Sequence, residues 1–516
     1  MKPIPYRNHL IIPEDPRVQH LIPHAKVVES GGQRSLVVPH RIDETAILKN
    51  LGYSAPPPVM LNYDWCNDTP FDTQRVTTAL ITMNKRCYVL NGIGTGKTRS
   101  LLFAYDYLQR SGANKRMLVT APLSTLRQTW QKEMTMIFPH LRCSVLYGSK
   151  QKRLKELDKD AHVYVINHDG VEVIFDALME RNDIDMLGLD ELSVYKNKTT
   201  AMWKFADRLG RRCDRVVGLT ATPMPKDPTD AFGQLKMITP RTCDMTFGRF
   251  REETMMKVSE YTWIKRQGAV ENVYKRMQPS VRFTRDECYD LPPCQTVTRE
   301  IVLTKQQKEL YAKMAGECAV ELASGDVKAI NEADRINKLL QIALGTVYDV
   351  NRNVVELDCS TRLAELDSLI SQSDSKVIVF TPYKSSLRKL HAHVTKNWPA
   401  AVISGDVSAA ERERIFTMFM HSESPHVLLA HPKTMSHGLT LTAASTIVWY
   451  GPPDSLETYE QANGRITRSG QKHSQLIAHL AATKLEQKIY ARLEARAATQ
   501  GLLLDMFENQ ELGDLL

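Results

Sequence analysis

Between an apolar run ending in Tyr88-Val89-Leu90 and a helical pattern starting near Arg99, the chain reads Asn91-Gly92-Ile93-Gly94-Thr95-Gly96-Lys97-Thr98. Strand, glycine-rich turn and helix in that order form the layout of a phosphate-binding loop, and few folds accommodate it. Glycines there let backbone N–H groups close around an oligophosphate, Lys97 neutralises its terminal phosphates, and the Thr98 hydroxyl can hold Mg²⁺. Gly94, Thr95, Gly96, Lys97, Thr98 and Arg99 are therefore the expected nucleotide contacts.

The rest of the chain builds a frame around that loop. Short apolar runs at 86–90, 117–121, 163–167, 186–189 and 215–219 are each followed by a polar turn or a helix pattern. Strands apolar on both faces and separated by helices describe a doubly covered parallel sheet, which delivers ligands at the strand carboxyl ends. A second such block begins near Thr361, with strands at 376–380, 401–403, 426–430 and 446–450. The expected organisation is a small amino-terminal module (1–62), a first α/β lobe (63–240), a largely helical region broken by Leu291-Pro292-Pro293 (241–358), a second α/β lobe (359–483), and a terminal helix (484–516). Leu485, Ile489, Leu493 and Ala497 recur on one face of that helix, which should pack back on a lobe.

At 516 residues, with 42% hydrophobic and 24% charged, the chain is long enough for two or three packed domains of ordinary soluble composition. The net charge of +8 is mild, but residues 241–285 hold ten Lys or Arg against five Asp or Glu, interleaved with Phe247, Phe250, Tyr261, Trp263, Tyr274 and Phe283. Two readings stay open for that stretch: a phosphate-facing surface, or a small helical element with aromatics inside and solvated bases outside. Nine scattered cysteines without a C-x-x-C pair argue against a disulfide framework and a structural zinc site. His20/His24 and His391/His393 lack companion ligands and read as structural. No apolar run is long enough to span a bilayer and no signal core opens the chain, so a soluble, intracellular protein without membrane partners is expected.

Asp190-Glu191 ends the run Leu187-Gly188-Leu189, at the tip of a buried strand. Asp190 can hold Mg²⁺, and Glu191 can accept a proton from, or orient, a water attacking a γ phosphate. Thr220 and Thr222 end another strand and could link that site to a second ligand. Further on, Gln461-Ala-Asn-Gly464-Arg465-Ile-Thr-Arg468 puts two arginines three apart, hence on one side of a helix. Guanidinium groups of this kind stabilise charge on a transferring phosphoryl group, which would make hydrolysis conditional on lobe geometry. Lys97, Asp190, Glu191, Gln461, Arg465 and Arg468 form the catalytic set.

In order, these residues resemble the motifs of superfamily-two helicases, and more narrowly the Swi/Snf-type DNA translocases. Asp190-Glu191-x-Ser193-x-x-Lys196-Asn197, the Leu291-Pro292-Pro293 segment leading into 303–311, and Gln461 to Arg468 followed by Ser469-Gly470-Gln471 carry the narrower resemblance, which covers about 70–507. It implies an α/β fold of two RecA-like lobes with helical protrusions, ATP and Mg²⁺ as ligands, and duplex DNA gripped by its phosphates. It also implies that Gln74 reads adenine, that Pro122 to Leu126, with Ser124 and Thr125, contacts the DNA backbone, and that Thr381, Gly438, Thr440 and Thr442 contact or couple in the second lobe. Asn167, His168, Thr220, Thr222 and Ser404 are further coupling or contact candidates. Asn91 stands in place of the first loop glycine, Ser193 where many relatives have His, and Thr440 where many have Asn. The segment 18–51 reads as strand, hairpin turn at Gly31-Gly32, strand and helix, and is similar to the HARP-type module of annealing helicases; an ordinary extension packed on the first lobe is the alternative.

The expected function is an ATP-dependent motor on double-stranded or branched DNA that displaces a bound complex or reanneals strands, acting as a monomer. The alternatives are a strand-separating DNA or RNA helicase and a catalytically silent, nucleotide-gated scaffold. Compact size points to a bacterial or viral source and a cytoplasmic site of action, nuclear only in a eukaryote.

Overall fold

The computed structural model describes residues 2–30, 32–65, 69–259, 262–285, 287–288, 291–323, 329–349, 353–435, 440–468 and 470–508. Gly31, Tyr261, Gly438 and Ser469, which the sequence singles out, lie outside the described residues. The chain divides into two compact units, Met1–Cys288 with Thr499–Leu516, and Tyr289–Ala498.

The first unit opens with an antiparallel sheet of β1 (Ile4–Tyr6), β2 (His9–Pro13), β3 (Lys26–Ser30) and β4 (Gln33–Pro39), in the order β1-β2-β4-β3. Period-two alternation turns Leu10, Ile12, Leu36 and Val38 into a small core with Val18, Leu48 and Tyr53. The strand expected from Val18 to Val28 is divided: Asp15 accepts a hydrogen bond from the Arg17 N–H (2.9 Å) and Pro16 sets the first turn of a helix, Pro16–Leu21, before β3 begins. β1 and β2 are not expected from the sequence pattern, because Pro5 and Pro13 sit within them and mask it.

The sheet that carries the phosphate loop comprises β5 (Arg86–Val89), β6 (Arg116–Ala121), β7 (Cys143–Leu146), β8 (Val163–Asn167), β9 (Ile184–Asp190) and β10 (Arg215–Leu219). After a hairpin of β11 (Met255–Lys257) and β12 (Trp263–Lys265), β13 (Ser280–Val281) completes it, in the order β13-β5-β10-β9-β6-β8-β7 with every pairing parallel. Tyr88, Leu118, Leu187 and Leu189 face one helical layer, while Cys87, Val89, Met117, Val119 and Met186 face the other. Helix Lys97–Arg110 lies so close that a Cβ on Gly188 of β9 would stand 2.8 Å from Leu101 Cδ2.

In the second unit, β14 (Cys294–Glu300) precedes a hairpin of β15 (Thr346–Tyr348) and β16 (Val354–Glu356). β17 (Lys376–Phe380), β18 (Ala400–Ile403), β19 (Val427–Ala430), β20 (Ala444–Trp449) and β21 (Gln475–Ala481) come next, and the sheet runs β14-β21-β20-β17-β19-β18, again all parallel. Ile378 and Phe380 face one apolar layer, Val377 and Val379 the other. Tyr490 and Leu493 of the helix Lys484–Glu508 are buried in the first of these layers, with Ile489 and Ala497 packed against it.

The region expected to be largely helical is mixed. Helices Phe247–Thr254, Ala269–Arg276, Lys305–Ala323 and Ala329–Ala343 are present, but β13 joins the first sheet and β14 the second. β13 is two residues long, and β14 is a mostly exposed, polar edge strand, so neither has the apolar run that marks the other strands. Among the described residues no helix is long and apolar enough to cross a membrane.

Candidate functional site

The loop after β5 takes its shape from two glycines in the left-handed region, Gly94 (φ 85°) and Gly96 (φ 83°), a conformation that L side chains rarely adopt. Gly96 is doubly required, since a Cβ there would lie 2.1 Å from Gln74 Nε2. Gln74 is fixed at both ends: its Nε2 donates to the Thr95 carbonyl (3.3 Å) and its Oε1 accepts from the Phe71 N–H (3.2 Å). Lys97 Nζ donates to the carbonyls of Asn91 and Gly92, both at 2.9 Å, which places the ammonium over the loop. Thr98 stands half-buried in the first turn of the helix, whereas the structure places Arg99 against Glu133 (3.2 Å).

Asn91 has a structural role that its place in the motif did not announce. Its Nδ2 donates to Thr77 Oγ1 (2.9 Å), and its Oδ1 accepts from the Phe283 N–H (3.0 Å), while the Gly92 N–H donates to the Phe283 carbonyl (2.8 Å). The loop is thereby stitched to the segment just past β13.

β5, β10 and β9 are neighbours, so the loop, Thr220 and the Asp190-Glu191 pair meet at the carboxyl ends of these parallel strands. Asp190 Oδ2 accepts from the indole N–H of Trp130 (3.0 Å) and Oδ1 from the Glu191 N–H (3.1 Å). Burial pushes the Asp190 carboxyl above the usual carboxylate range, opposed by the Trp130 hydrogen bond and the charge of Lys97. Glu191 occupies a left-handed conformation (φ 57°), uncommon for a residue with a side chain. Its Oε1 accepts from Ser193 Oγ (3.0 Å) and Thr220 Oγ1 (3.3 Å), so Ser193 anchors the candidate base through a hydroxyl.

Of the other first-unit candidates, Ser124 is exposed, and Thr125 donates to the Pro122 carbonyl (2.9 Å) to close the turn that carries it. Asn167 Oδ1 accepts from Arg153 (3.0 Å). His168 Nε2 donates to the Asp190 carbonyl (2.8 Å); burial lowers this imidazole from its ordinary value and keeps the ring neutral. Thr222 donates its N–H to Thr220 Oγ1 (3.1 Å), and its own buried hydroxyl has no hydrogen-bond partner among the described residues.

In the second unit the helix carrying Gln461 ends at Asn463, with Gly464 as its cap. Arg465 and Arg468 therefore lie in the turn beyond it and do not share a helix face. Glycine is a poor helix continuer, and the chain leaves through i→i−3 hydrogen bonds from the Arg465 N–H to Ala462 (3.2 Å) and from Ile466 to Asn463 (3.4 Å). Arg465 is buried, while Arg468 is half-buried and donates to Thr440 Oγ1 (3.2 Å). The Leu441 N–H donates to the Arg465 carbonyl (2.9 Å), so segments 440–442 and 465–468 are bound together, with Thr442 half-buried beside the buried Leu441. Gln461 donates to Glu457 (3.3 Å) and Ser404 Oγ accepts from the Asp406 N–H (3.3 Å). The Thr381 hydroxyl, at the end of β17, is buried without a hydrogen-bond partner among the described residues.

A column of rings ties the Gln461 helix, through its own Tyr459, to strands β17, β20 and β21. Phe380, Trp449, Tyr459, His479 and Tyr490 succeed one another with centroids 4.9, 5.3, 5.5 and 4.1 Å apart, and the Trp449 indole N–H donates to Asn463 Oδ1 (2.9 Å). Neither this column nor the Trp130 contact with Asp190 carries a sequence signature, since isolated aromatics in strand and helix patterns read as core.

The cradle fits an oligophosphate: two left-handed glycines open the loop, and an ammonium reaches over it. It also fits Mg²⁺. Thr98 and Asp190 would hold the ion, each Asp190 oxygen already oriented by a donor. Among the described residues no cluster of three or more His, Cys, Asp or Glu side chains forms a self-sufficient metal site, so phosphate oxygens and water would complete the shell, as is usual for this ion. The histidine pairs go elsewhere: His24 meets Glu44 and His393 meets Asp367, both at 2.9 Å.

Residues 77–351 match the SNF2-related domain and residues 361–470 the helicase conserved C-terminal domain. Protein p41 of Acyrthosiphon pisum secondary endosymbiont phage 1 is 27% identical over 461 residues, 83% of this chain and 96% of that protein. The Mus musculus DNA annealing helicase and endonuclease ZRANB3 is 24% identical, over 84% of this chain and 40% of its own length. The ATP-dependent helicase/translocase YwqA of Bacillus subtilis (strain 168) is 24% identical, over 78% and 45%. The chain thus spans less than half the length of these two cellular relatives. The Sulfolobus solfataricus SWI2/SNF2 ATPase core in complex with dsDNA superposes with a TM-score of 0.41 at 19% identity, covering 87% of this chain and 97% of that one; the fold assignment rests on the two sheets themselves. More than half of the chain falls within the SNF2-related match alone, and the sheet inside that match carries the phosphate loop beside the paired carboxylates: the chain belongs to the SNF2-related family of helicase-like ATPases.

Proposed function

We propose that this ATPase is a motor that steps along double-stranded DNA, remodelling or displacing what is bound there or reannealing branched DNA. The observation that carries the reading is the hydrogen bond from the Thr220 hydroxyl to Glu191 at the strand ends where the phosphate loop also lies, because it ties the candidate base to the strand end expected to answer a second ligand. The names of relatives point the same way, ZRANB3 as a DNA annealing helicase and a Drosophila willistoni relative as a RAD54-like DNA repair and recombination protein.

In this reading the loop N–H groups and Lys97 bind and orient the triphosphate of ATP, with Gln74 at the adenine. A magnesium ion held by Thr98 and Asp190 would draw charge from the phosphate oxygens. Glu191, oriented by Ser193 and Thr220, takes the proton of the attacking water. We assign Arg465 and Arg468, with Gln461, to the charge that develops on the transferring phosphoryl group. Ser124, Thr125, Asn167, His168, Thr222, Thr381, Ser404, Thr440 and Thr442 are assigned to DNA contact or coupling. Residues 1–62, which fold around a core of their own, are assigned to substrate recognition, in keeping with the HARP-type similarity.

The test is phosphate release with duplex DNA, single-stranded DNA, RNA or no polymer, beside ATP-dependent displacement of a third strand from a triplex. Strongest turnover with duplex, and triplex displacement without duplex unwinding, are the expected results. Stronger stimulation by RNA or single strands would favour an unwinding helicase, and the absence of turnover under every condition would favour the scaffold. Glu191→Gln should retain nucleotide binding while its turnover falls by about 10²–10⁴-fold, the range for losing a general base.

A further inference from the structure

We propose that Trp130 is a positioning residue for catalysis, holding the Asp190 carboxylate in the one orientation that accepts the metal; this rests on the reading of Asp190 as the magnesium-holding side chain. Trp130 is fully buried among Leu126, Met134 and Phe138, so the indole has a fixed place. It lies in a six-residue π-helical turn, Leu126–Gln131, that runs straight into the α-helix Lys132–Ile137. One extra residue in a helical turn rotates the remainder of the helix by about 100° around its axis, and π-turns are concentrated at functional sites. Here the turn ends with the indole N–H aimed at Asp190 Oδ2, 3.0 Å away.

An indole N–H donates and cannot accept, so the contact has only one polarity. It fixes one carboxylate oxygen while the Glu191 N–H fixes the other at 3.1 Å, and His168 holds the backbone carbonyl of the same residue at 2.8 Å. Each carboxylate oxygen still has a lone pair for a cation, but the group can no longer turn about its Cβ–Cγ bond without breaking two hydrogen bonds. Outer-shell donors of this kind set ligand orientation and thereby metal affinity. An apolar side chain of similar size would fill the space equally well; only the N–H is specific to the carboxylate.

The experiment uses the full chain with AMP-PNP, and Mn²⁺ as the metal probe, its binding followed by electron paramagnetic resonance. Trp130→Phe removes the donor; incorporation of benzothienylalanine at position 130 replaces the N–H by sulfur with nearly unchanged shape, and decides the matter if the Phe variant folds poorly. The expected result is Mn²⁺ affinity in the nucleotide complex weakened by about 10–100-fold, with AMP-PNP affinity in EDTA within twofold of wild type. Unchanged Mn²⁺ affinity in the folded variants would overturn the proposal, as would equal losses of nucleotide affinity with and without metal. Asp190→Asn separates the two levels: if it too leaves Mn²⁺ binding intact, the metal role of Asp190 is wrong and the proposal falls with it; if it abolishes binding and the Trp130 variants do not, only the role of Trp130 is wrong.

Discussion

At the scale of single residues, the departures from the family pattern turn out to be chemical choices. Asn91 replaces a loop glycine at a position where no left-handed backbone is needed, and its buried carboxamide bridges Thr77 and Phe283. Asn91→Ala would strand the buried Phe283 N–H without its acceptor, a cost of about 1–3 kcal/mol. A thermal scan should show the midpoint falling by roughly 2–4 °C per kcal/mol lost, whereas Asn91→Asp, which keeps an acceptor toward Phe283, should recover part of the loss. An unchanged midpoint in Asn91→Ala would mean that water replaces the carboxamide. Ser193 shows the limit of reading such positions from sequence. Its identity was legible as a departure, but its hydrogen bond to Glu191 depends on the left-handed turn at Glu191, which no residue type announces.

At the scale of elements, apolar periodicity made strands legible, while exposure and local turns hid the rest. β5, β9, β10 and β17 are apolar on both faces and could be read directly, while β14 lies at an edge with only Val297 packed inward. The turn at 464–468 has the residue spacing of a helix at Arg465 and Arg468, although Gly464 stops the helix before them. The ring column gives an element-level prediction. His479 is fully buried, its Nε2 meets the Tyr459 hydroxyl at 2.8 Å, and burial lowers its pKa from 6.5 to about 4. The folded chain therefore keeps the ring neutral, while the unfolded chain protonates it near 6.5. As pH falls from about 6.5 to about 4, the unfolded state binds a proton that the folded state refuses, and stability drops across that window by on the order of 3 kcal/mol at most. Above 6.5 this contribution is fully present and flat. Thermal midpoints measured from about pH 7.5 down to about pH 5, a range that crosses the unfolded-state titration, should fall more steeply for wild type than for His479→Phe; parallel curves would show that the ring is protonated in place.

At the scale of the whole molecule, the two parallel sheets and the order of motifs along them were legible because each lobe repeats the same strand-and-helix rhythm. The small antiparallel sheet at the amino end was only half legible, since prolines sit within β1 and β2. In the proposed function a chain of net charge +8 grips a polyanion by its phosphates, which releases counterions. With roughly 6–10 phosphate contacts, the duplex concentration giving half-maximal ATPase stimulation should rise by about 10³–10⁵-fold between roughly 50 and 200 mM salt, while turnover without DNA stays nearly constant. Stimulation insensitive to salt would argue that the polymer is not held through its backbone. The strand pairing of β13 with β5 also governs how the protein comes into being. The backbone N–H that Asn91 requires belongs to a residue 192 positions later. On a ribosome adding about 5–20 residues per second, the nascent phosphate loop waits on the order of ten seconds or more for Phe283 to be synthesised. The loop is thus complete only late in the synthesis of the first unit, and a chain cut short before Phe283 would carry the nucleotide motif without the N–H that Asn91 holds.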